Sequence, residues 1–210
     1  MLYHITRALF RVVLRGMLAL LGGLRVEGAQ NVSRSGPLIV APNHISFADP
    51  LVIGVALNRP AYFMATAKLF TIRFLGQLAR FMRVYPVKQD SPDRAALRHT
   101  ETLLKRGETV VIFPEGHVNP TPELLPIQPG IVMIAMRTGA PVLPVGLIGT
   151  KHMVPYRKFW PRHAGRPIVV RFSRPISVQE LTGGLKGRGA LDHGIRCLRE
   201  AIEALVNTPE

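Results

Sequence analysis

The sequence predicts an α/β domain, a single layer of largely parallel or mixed sheet flanked by helices, and three observations lead there. Short apolar, β-branched runs recur at Leu38–Ala41, Ala61–Thr66, Val84–Val87, Thr109–Phe113, Pro141–Ile148 and Ile168–Phe172, with helical spacing between most of them. Thr109–Phe113 is unbroken rather than alternating, as expected for a strand buried on both faces. Two polar stretches, Asn43–Pro50 and Phe113–His117, begin where such runs end, which is where open α/β sheets place their ligand crevices. A chain of 210 residues is long enough for one domain with a real core. We divide it into an N-terminal helix over residues 1–25 and a domain over residues 26–210.

The N-terminal segment carries His4, Arg7, Arg11 and Arg15 at three- and four-residue spacing, one basic stripe on a helix. Leu9, Phe10, Val12, Val13, Leu14, Met17 and Leu18 fill its other faces. The charge-free run from Gly16 to Leu24 falls well short of the roughly 20 residues a spanning helix needs, and no signal-peptide cleavage site follows it. Two readings fit: an amphipathic helix lying in the membrane plane with Arg7, Arg11 and Arg15 at phosphate level, or a soluble helix packed on the domain. The first is favoured. Gly22-Gly23 ends the segment, and Val26–Gly36 reads as an irregular, hairpin-like lead-in to the first buried strand.

Asp49-Pro50 can open a helix after that strand. Phe70, Phe74, Leu75, Leu78 and Met82 have helical spacing. Ser91-Pro92-Asp93 starts another helix, carrying Leu97, Leu103 and Leu104 and stopped by Gly107. Pro129-Gly130 turns into a mostly buried helix, Ile131–Met136, ended by Gly139. Residues 149–166 form a basic loop around Trp160. The last helix shows Leu191, Ile195, Leu198, Ile202 and Leu205, with Cys197 beside that stripe as an ordinary packed thiol.

Composition narrows the partners. With 47% hydrophobic and 19% charged residues the chain is not disordered. Its 27 Lys and Arg against 13 Asp and Glu give a formal +14, which favours nucleic acid, acidic lipid headgroups or phosphorylated small molecules. Aromatic residues are few and never interleaved with basic ones as a recognition motif, so nucleic acid is not expected. One cysteine allows no disulfide within the chain and fits a reducing compartment.

The chemistry centres on His44 and Asp49. They fit a general base with its orienting carboxylate; they equally fit a turn histidine followed by a helix cap. Other mechanisms lack their residues. There is no Gly-x-Ser-x-Gly elbow, and Ser46, too close to His44 for a triad, reads as a turn cap. No His-Glu-x-x-His or other metal-ligand spacing occurs, so no metal is expected. No phosphate loop or dinucleotide fingerprint occurs, so no cofactor is expected. A base without a covalent nucleophile points to direct transfer onto an activated hydroxyl.

Four stretches in order then carry a resemblance. Asn43-His44-x4-Asp49-Pro50 resembles the His-x4-Asp box of the glycerolipid acyltransferases, typified by 1-acylglycerol-3-phosphate acyltransferase. Lys68-Leu69-Phe70 with Gly76 resembles their second block, Phe113-Pro114-Glu115-Gly116 their Phe-Pro-Glu-Gly block, and Val142-Leu143-Pro144-Val145-Gly146 their last. The resemblance spans residues 37–148 and implies His44 as base and Asp49 as its holder. It also implies acceptor or phosphate binding by Lys68, Glu115, Gly116, His117 and Lys88, with backbone N–H groups near Gly116 facing the oxyanion. Asn43, Pro50, Phe113, Pro114 and Pro144 are the supporting motif residues. The implied donor is acyl-CoA or acyl-carrier protein, and the implied acceptor is a lyso-lipid, 1-acyl-sn-glycerol-3-phosphate first. A lysophospholipid or lyso-ornithine lipid acceptor, or a thioester or lipid hydrolase on the same pair, is the alternative. With the basic N-terminal helix, this implies a peripheral, monotopic enzyme on anionic lipid at the cytoplasmic face of the cell membrane. Two departures stand out. Val118 and Gln89 occupy positions where the family usually has arginine, and neither offers a bidentate fork for phosphate.

Overall fold

Each of the six apolar runs becomes a strand, five of them built on Val, Ile or Leu and Ala61–Thr66 on Tyr, Phe and Met. A computed structural model describes residues 2–71, 76–77, 79, 82–88, 93–119, 121, 123–156, 158 and 160–208, with the backbone alone at residues 2–7 and 68. The strands are β1 (Leu24–Glu27), β2 (Leu38–Pro42), β3 (Tyr62–Thr66), β4 (Val84–Val87), β5 (Thr109–Val111), β6 (Val142–Ile148) and β7 (Ile168–Phe172). They form one sheet in the order β1-β7-β6-β2-β5-β3-β4. β6, β2, β5, β3 and β4 run parallel, so their C-terminal ends share one edge. β7 is antiparallel to β6 and carries β1 with it. The sheet is therefore mixed at one side only.

The irregular lead-in expected over Val26–Gly36 holds from residue 28 onward, with a 3₁₀ turn at Ala29–Asn31, but its first two residues belong to β1. A four-residue strand with two charges gives no apolar run to read. It forms because Leu24–Glu27 pairs along β7, and because Arg171 of β7 donates through Nε to Glu27 Oε2 at 2.8 Å. The helices are α1 (Leu2–Leu20), α2 (Asp49–Ala56), α3 (Arg94–Lys105), α4 (Gly130–Thr138), α5 (Thr150–Met153), α6 (Val178–Thr182) and α7 (Gly187–Asn207). Most of the helix expected over Phe70–Met82 lies outside the described residues; Ala67–Thr71 is a 3₁₀ turn.

Successive strand residues face opposite sides, and two cores result. Leu38, Val40, Val111, Leu143 and Val145 pack with Leu14 and Leu18 of α1 and Val52 and Ile53 of α2. Ile39, Ala41, Val110 and Val142 pack with Leu104 of α3, Ile134 of α4, Leu181 of α6 and Leu198 and Ile202 of α7. Leu14 and Leu18 form the inner edge of α1, and Arg11 is on that side too. Its Nη2 donates to Val55 O at 3.0 Å, covering a carbonyl near the end of α2. Burial beside Arg15 lowers the Arg11 pKa. Leu9, Val12, Val13 and Leu20 project outward, Leu20 at 80% exposure. Among the described residues no helix is long and apolar enough to cross a membrane.

Gly146 lets α7 lie against β6. A Cβ there would stand 2.8 Å from the Leu205 Cβ and 3.2 Å from its carbonyl carbon, and the backbone cannot swing aside. Gly146→Ala is expected to cost about 1–3 kcal/mol through overpacking, read as a lowered urea midpoint at unchanged slope. Gly16→Ala, on open α1 surface, is the control and should not lower it.

Candidate active site

β2 stops at Pro42, and side chains take over where its ladder ends. Asn43 Nδ2 donates to Leu147 O at 3.0 Å, and its Oδ1 accepts from Leu147 N at 2.6 Å, so one amide continues the pairing with β6. His44 is held at both main-chain groups. Its N–H donates to Glu115 Oε1 at 2.8 Å, and its carbonyl accepts from Asn119 N at 2.6 Å. Glu115 Oε2 accepts from Leu125 N at 2.9 Å and from Asn119 Nδ2 at 3.4 Å. Arg199 of α7 donates to the carbonyls of Leu124 and Leu125 at 3.0 and 3.4 Å. A bracing chain thus runs from the last helix to the histidine backbone.

The imidazole is fixed separately. Asp49, fully buried, accepts at Oδ2 from His44 Nδ1 (2.9 Å), Ile45 N (2.7 Å) and Ser46 N (2.8 Å). An ionised carboxylate can only accept, so Nδ1 is the donor to it, and in the neutral ring Nε2 is then the acceptor. Phe113 stacks on the ring at 4.0 Å between centroids and 26° between planes. This geometry suits a general base. The helix-cap alternative is corrected in detail: Ala48 is the N-cap of α2, Asp49 lies in its first turn, and Pro50 follows. The carboxylate reaches back to the turn instead of capping its own helix. Ser46 does cap, accepting from Ala48 N at 3.2 Å and donating to Val154 O at 2.8 Å.

The remaining predicted residues spread along the same sheet edge. Glu115 is buried and braces His44. Gly116 adopts φ +76°, and its N–H donates to Phe113 O at 3.1 Å, so that N–H is engaged within the turn rather than aimed at an oxyanion. Pro114 O accepts from Gln128 N, and Pro144 sits inside β6. His117 is exposed, and Val118 is half-buried. Lys68 follows β3 with its side chain outside the described residues, as is all of Gln89. Lys88 is exposed beyond β4, and its N–H donates to Asp93, the N-cap of α3. β4 is three strands from β2, roughly 14 Å at usual strand spacing, so the fold does not bring Lys88 beside His44. Asn119 and Arg199 escaped the sequence reading. Asn119 was legible only as a turn residue between prolines, and Arg199 only as one charge on an amphipathic helix.

Behind the His44 turn, on the α7 side, opens a cavity of about 550 Å³. Asn43, Ile45 and Glu115 line it, together with Lys151, Arg166 and, from α7, Arg199. Its charge is mixed, since Glu123 and Glu203 line it too. Burial first, then Arg166, Lys151 and Arg162, lower the pKa of His152. Among the described residues no three His, Cys, Asp or Glu side chains gather as a metal site. Cys197 is half-buried against the α7 core, and burial raises its thiol pKa.

The chain is similar to known proteins over most of its length. The chain is 31% identical over 137 residues to the 1-acyl-sn-glycerol-3-phosphate acyltransferase of Bacillus subtilis, a match covering 65% of this chain and 68% of that one. It is 32% identical over 133 residues to the chloroplastic 1-acyl-sn-glycerol-3-phosphate acyltransferase of Brassica napus, covering 62% of this chain but only 38% of that one. The crystal structure of the 1-acyl-sn-glycerophosphate acyltransferase PlsC from Thermotoga maritima superposes with a TM-score of 0.78 at 24% identity, over 96% of this chain and 78% of that one; it shows the shared fold. The family model described as Acyltransferase matches residues 23–148, from β1 through the last residue of β6, and on that match the chain belongs to the acyltransferase family.

Proposed function

We propose that this chain moves a fatty acyl group from acyl-CoA or acyl-carrier protein to the hydroxyl of 1-acyl-sn-glycerol-3-phosphate, giving phosphatidate. The observation that carries this is the clamped His44–Asp49 pair, with Nε2 left as an acceptor in a family named for acyl transfer. The names of the Bacillus and Brassica relatives supply the acceptor. His44 Nε2 takes the acceptor's hydroxyl proton as the oxygen attacks the thioester carbonyl. The tetrahedral intermediate collapses, the C–S bond breaks, and the departing thiolate takes the proton back from His44. Asp49 holds the ring and stabilises its protonated form. Glu115 and Asn119 hold the backbone that aims it.

With Val118 and Gln89 where the family's arginines usually stand, Lys151 and Arg166 on the cavity wall next to Asn43 supply positive charge for the acceptor's phosphate. The same replacements favour a second reading, in which another lyso-lipid is the preferred acceptor. Membrane attachment belongs to the proposal as well. The outward Leu9, Val12, Val13 and Leu20 of α1 form an apolar face suited to lie in the interface, and the exposed Arg15 flanks it. Because Arg11 turns inward, Arg15 and not Arg11 carries the phosphate-level role. The enzyme then works as a peripheral protein at the cytoplasmic face of the cell membrane.

Thiol release from an acyl thioester, measured over a panel of lyso-lipids, tests the reaction. His44→Ala should lower turnover by on the order of 10²–10⁴; equal rates for wild type and variant on every acceptor would remove the base assignment. Thiol release without any acceptor would mean a hydrolase instead.

The brace makes a different demand. Glu115→Gln should lower kcat by on the order of 10², the scale of a small misplacement of a catalytic group, with little change in KM for the acceptor. A raised KM at unchanged kcat would instead make Glu115 an acceptor ligand. Lys151→Gln should do the reverse of the brace variant, raising KM for lysophosphatidate several-fold while leaving kcat near wild type; an unchanged KM would remove Lys151 from the phosphate site.

A further inference from the structure

Trp160 is the chain's single tryptophan and stands 87% exposed. It lies on a loop whose ends are both tied down. Ser46 Oγ donates to Val154 O at 2.8 Å, joining the loop's start to the His44–Asp49 turn. Ala164 N donates to Leu21 O at 2.8 Å, joining its end to the residue after α1. Across the base, Arg162 donates from its main chain to Met153 O at 2.9 Å and from Nε to His152 O at 3.0 Å. The loop therefore leaves the body at a fixed place, between the residue after α1 and the His44–Asp49 turn.

Its surface is of two kinds. Tyr156 stacks on Phe47 at 6.3 Å with the rings nearly parallel, and Phe47 lies three residues past His44. Phe47, Tyr156 and Leu51 are all substantially exposed. Lys158, Trp160 and Arg162 surround a shallow cleft of about 300 Å³ with Pro155. An exposed aromatic flanked by cations is the composition of an interfacial anchor, ring at headgroup depth and charges on phosphates. An acidic protein partner would satisfy Lys158 and Arg162, but it gives no reason for Trp160, Phe47, Tyr156 and Leu51 to be bare beside the equally bare outer face of α1.

We infer that the loop spanning residues 155–163 is a second membrane-docking element. It places Trp160 in the headgroup region of anionic lipid, with Lys158 and Arg162 on lipid phosphates, so that loop and α1 hold the His44 mouth against the bilayer. The inference rests on the peripheral-membrane reading above and extends it to a part of the chain 140 residues from α1. Docking here brings the opening of the site to the surface that holds a lyso-lipid, so the acceptor enters without crossing water.

Because the tryptophan is single, the wild-type chain reports on itself. With vesicles of mixed phosphatidylglycerol and phosphatidylcholine, Trp160 emission should shift to the blue and be quenched by bromine labels near the headgroups. With phosphatidylcholine alone both effects should weaken. Lys158→Gln and Arg162→Gln should each lower partitioning onto the anionic vesicles about fivefold, the scale of one basic side chain at such a surface. Trp160→Ala should lower it roughly tenfold. If the protein sediments with vesicles while Trp160 emission stays unchanged, α1 alone holds the membrane and the loop inference is overturned. If it does not sediment at all, the inference falls together with the membrane reading. If emission moves on adding acidic acyl-carrier protein and not on adding vesicles, the loop is a protein-docking surface and the inference is overturned.

Discussion

The site depends on how β2 ends. A strand in the middle of a parallel sheet must release its chain at the C-terminal edge, and each main-chain group freed there needs a partner or water. This chain supplies protein partners at successive residues: Asn43 pairs with Leu147, and His44 pairs with Glu115 and Asn119. Asp49 then gathers the next two N–H groups together with the imidazole. The position of His44 comes from backbone hydrogen bonds as well as from packing of its ring.

Glu115 shows how that need for partners is met in the interior. A buried carboxylate is unfavourable unless its oxygens are well supplied with donors. Glu115 has His44 N at one oxygen, Leu125 N and the Asn119 amide at the other. The loop that delivers Leu125 is itself pinned by Arg199, which in turn pairs with Glu203 at 2.8 Å. Placement of the histidine is thus shared between the ends of β2 and β5 and a helix near the C-terminus. The bracing continues past the end of the matched family region at residue 148.

The fold was legible wherever burial is symmetrical. Thr109–Val111 and Val142–Ile148 are covered on both faces and read as apolar runs. β1 was not legible, because an edge strand held by Glu27–Arg171 carries charge where a run should be. The pair His44–Asp49 was legible as a pair, and its ambiguity with a helix cap was real: only coordinates separate a carboxylate turned back on its own turn from one turned into its helix. Asn119 and Arg199 had no signal, since their partners are main-chain atoms at 74 and 75 residues' separation in one case and across two loops in the other. Side chain to backbone bonds leave no trace in residue spacing. Arg11 was misdirected for a related reason: Arg11 and Arg15 share a stripe, but helical spacing does not fix what each side chain reaches, and Arg11 bonds the Val55 carbonyl while Arg15 stays exposed.

The surroundings of the turn differ in kind on its two flanks. Asn43, Ile45 and Glu115 open onto a cavity walled by both signs of charge, while Phe47 and Leu51, a few residues further along, present bare apolar surface joined by Tyr156. A lyso-lipid has the same division, a charged headgroup and an apolar chain with its hydroxyl close to where they meet. Under the proposed function, a turn with polar lining before it and apolar surface after it matches that division. The sheet produces it because β2 is central: the chain leaves the edge next to α7 and its charged wall, then enters α2, whose exposed first turn carries Leu51.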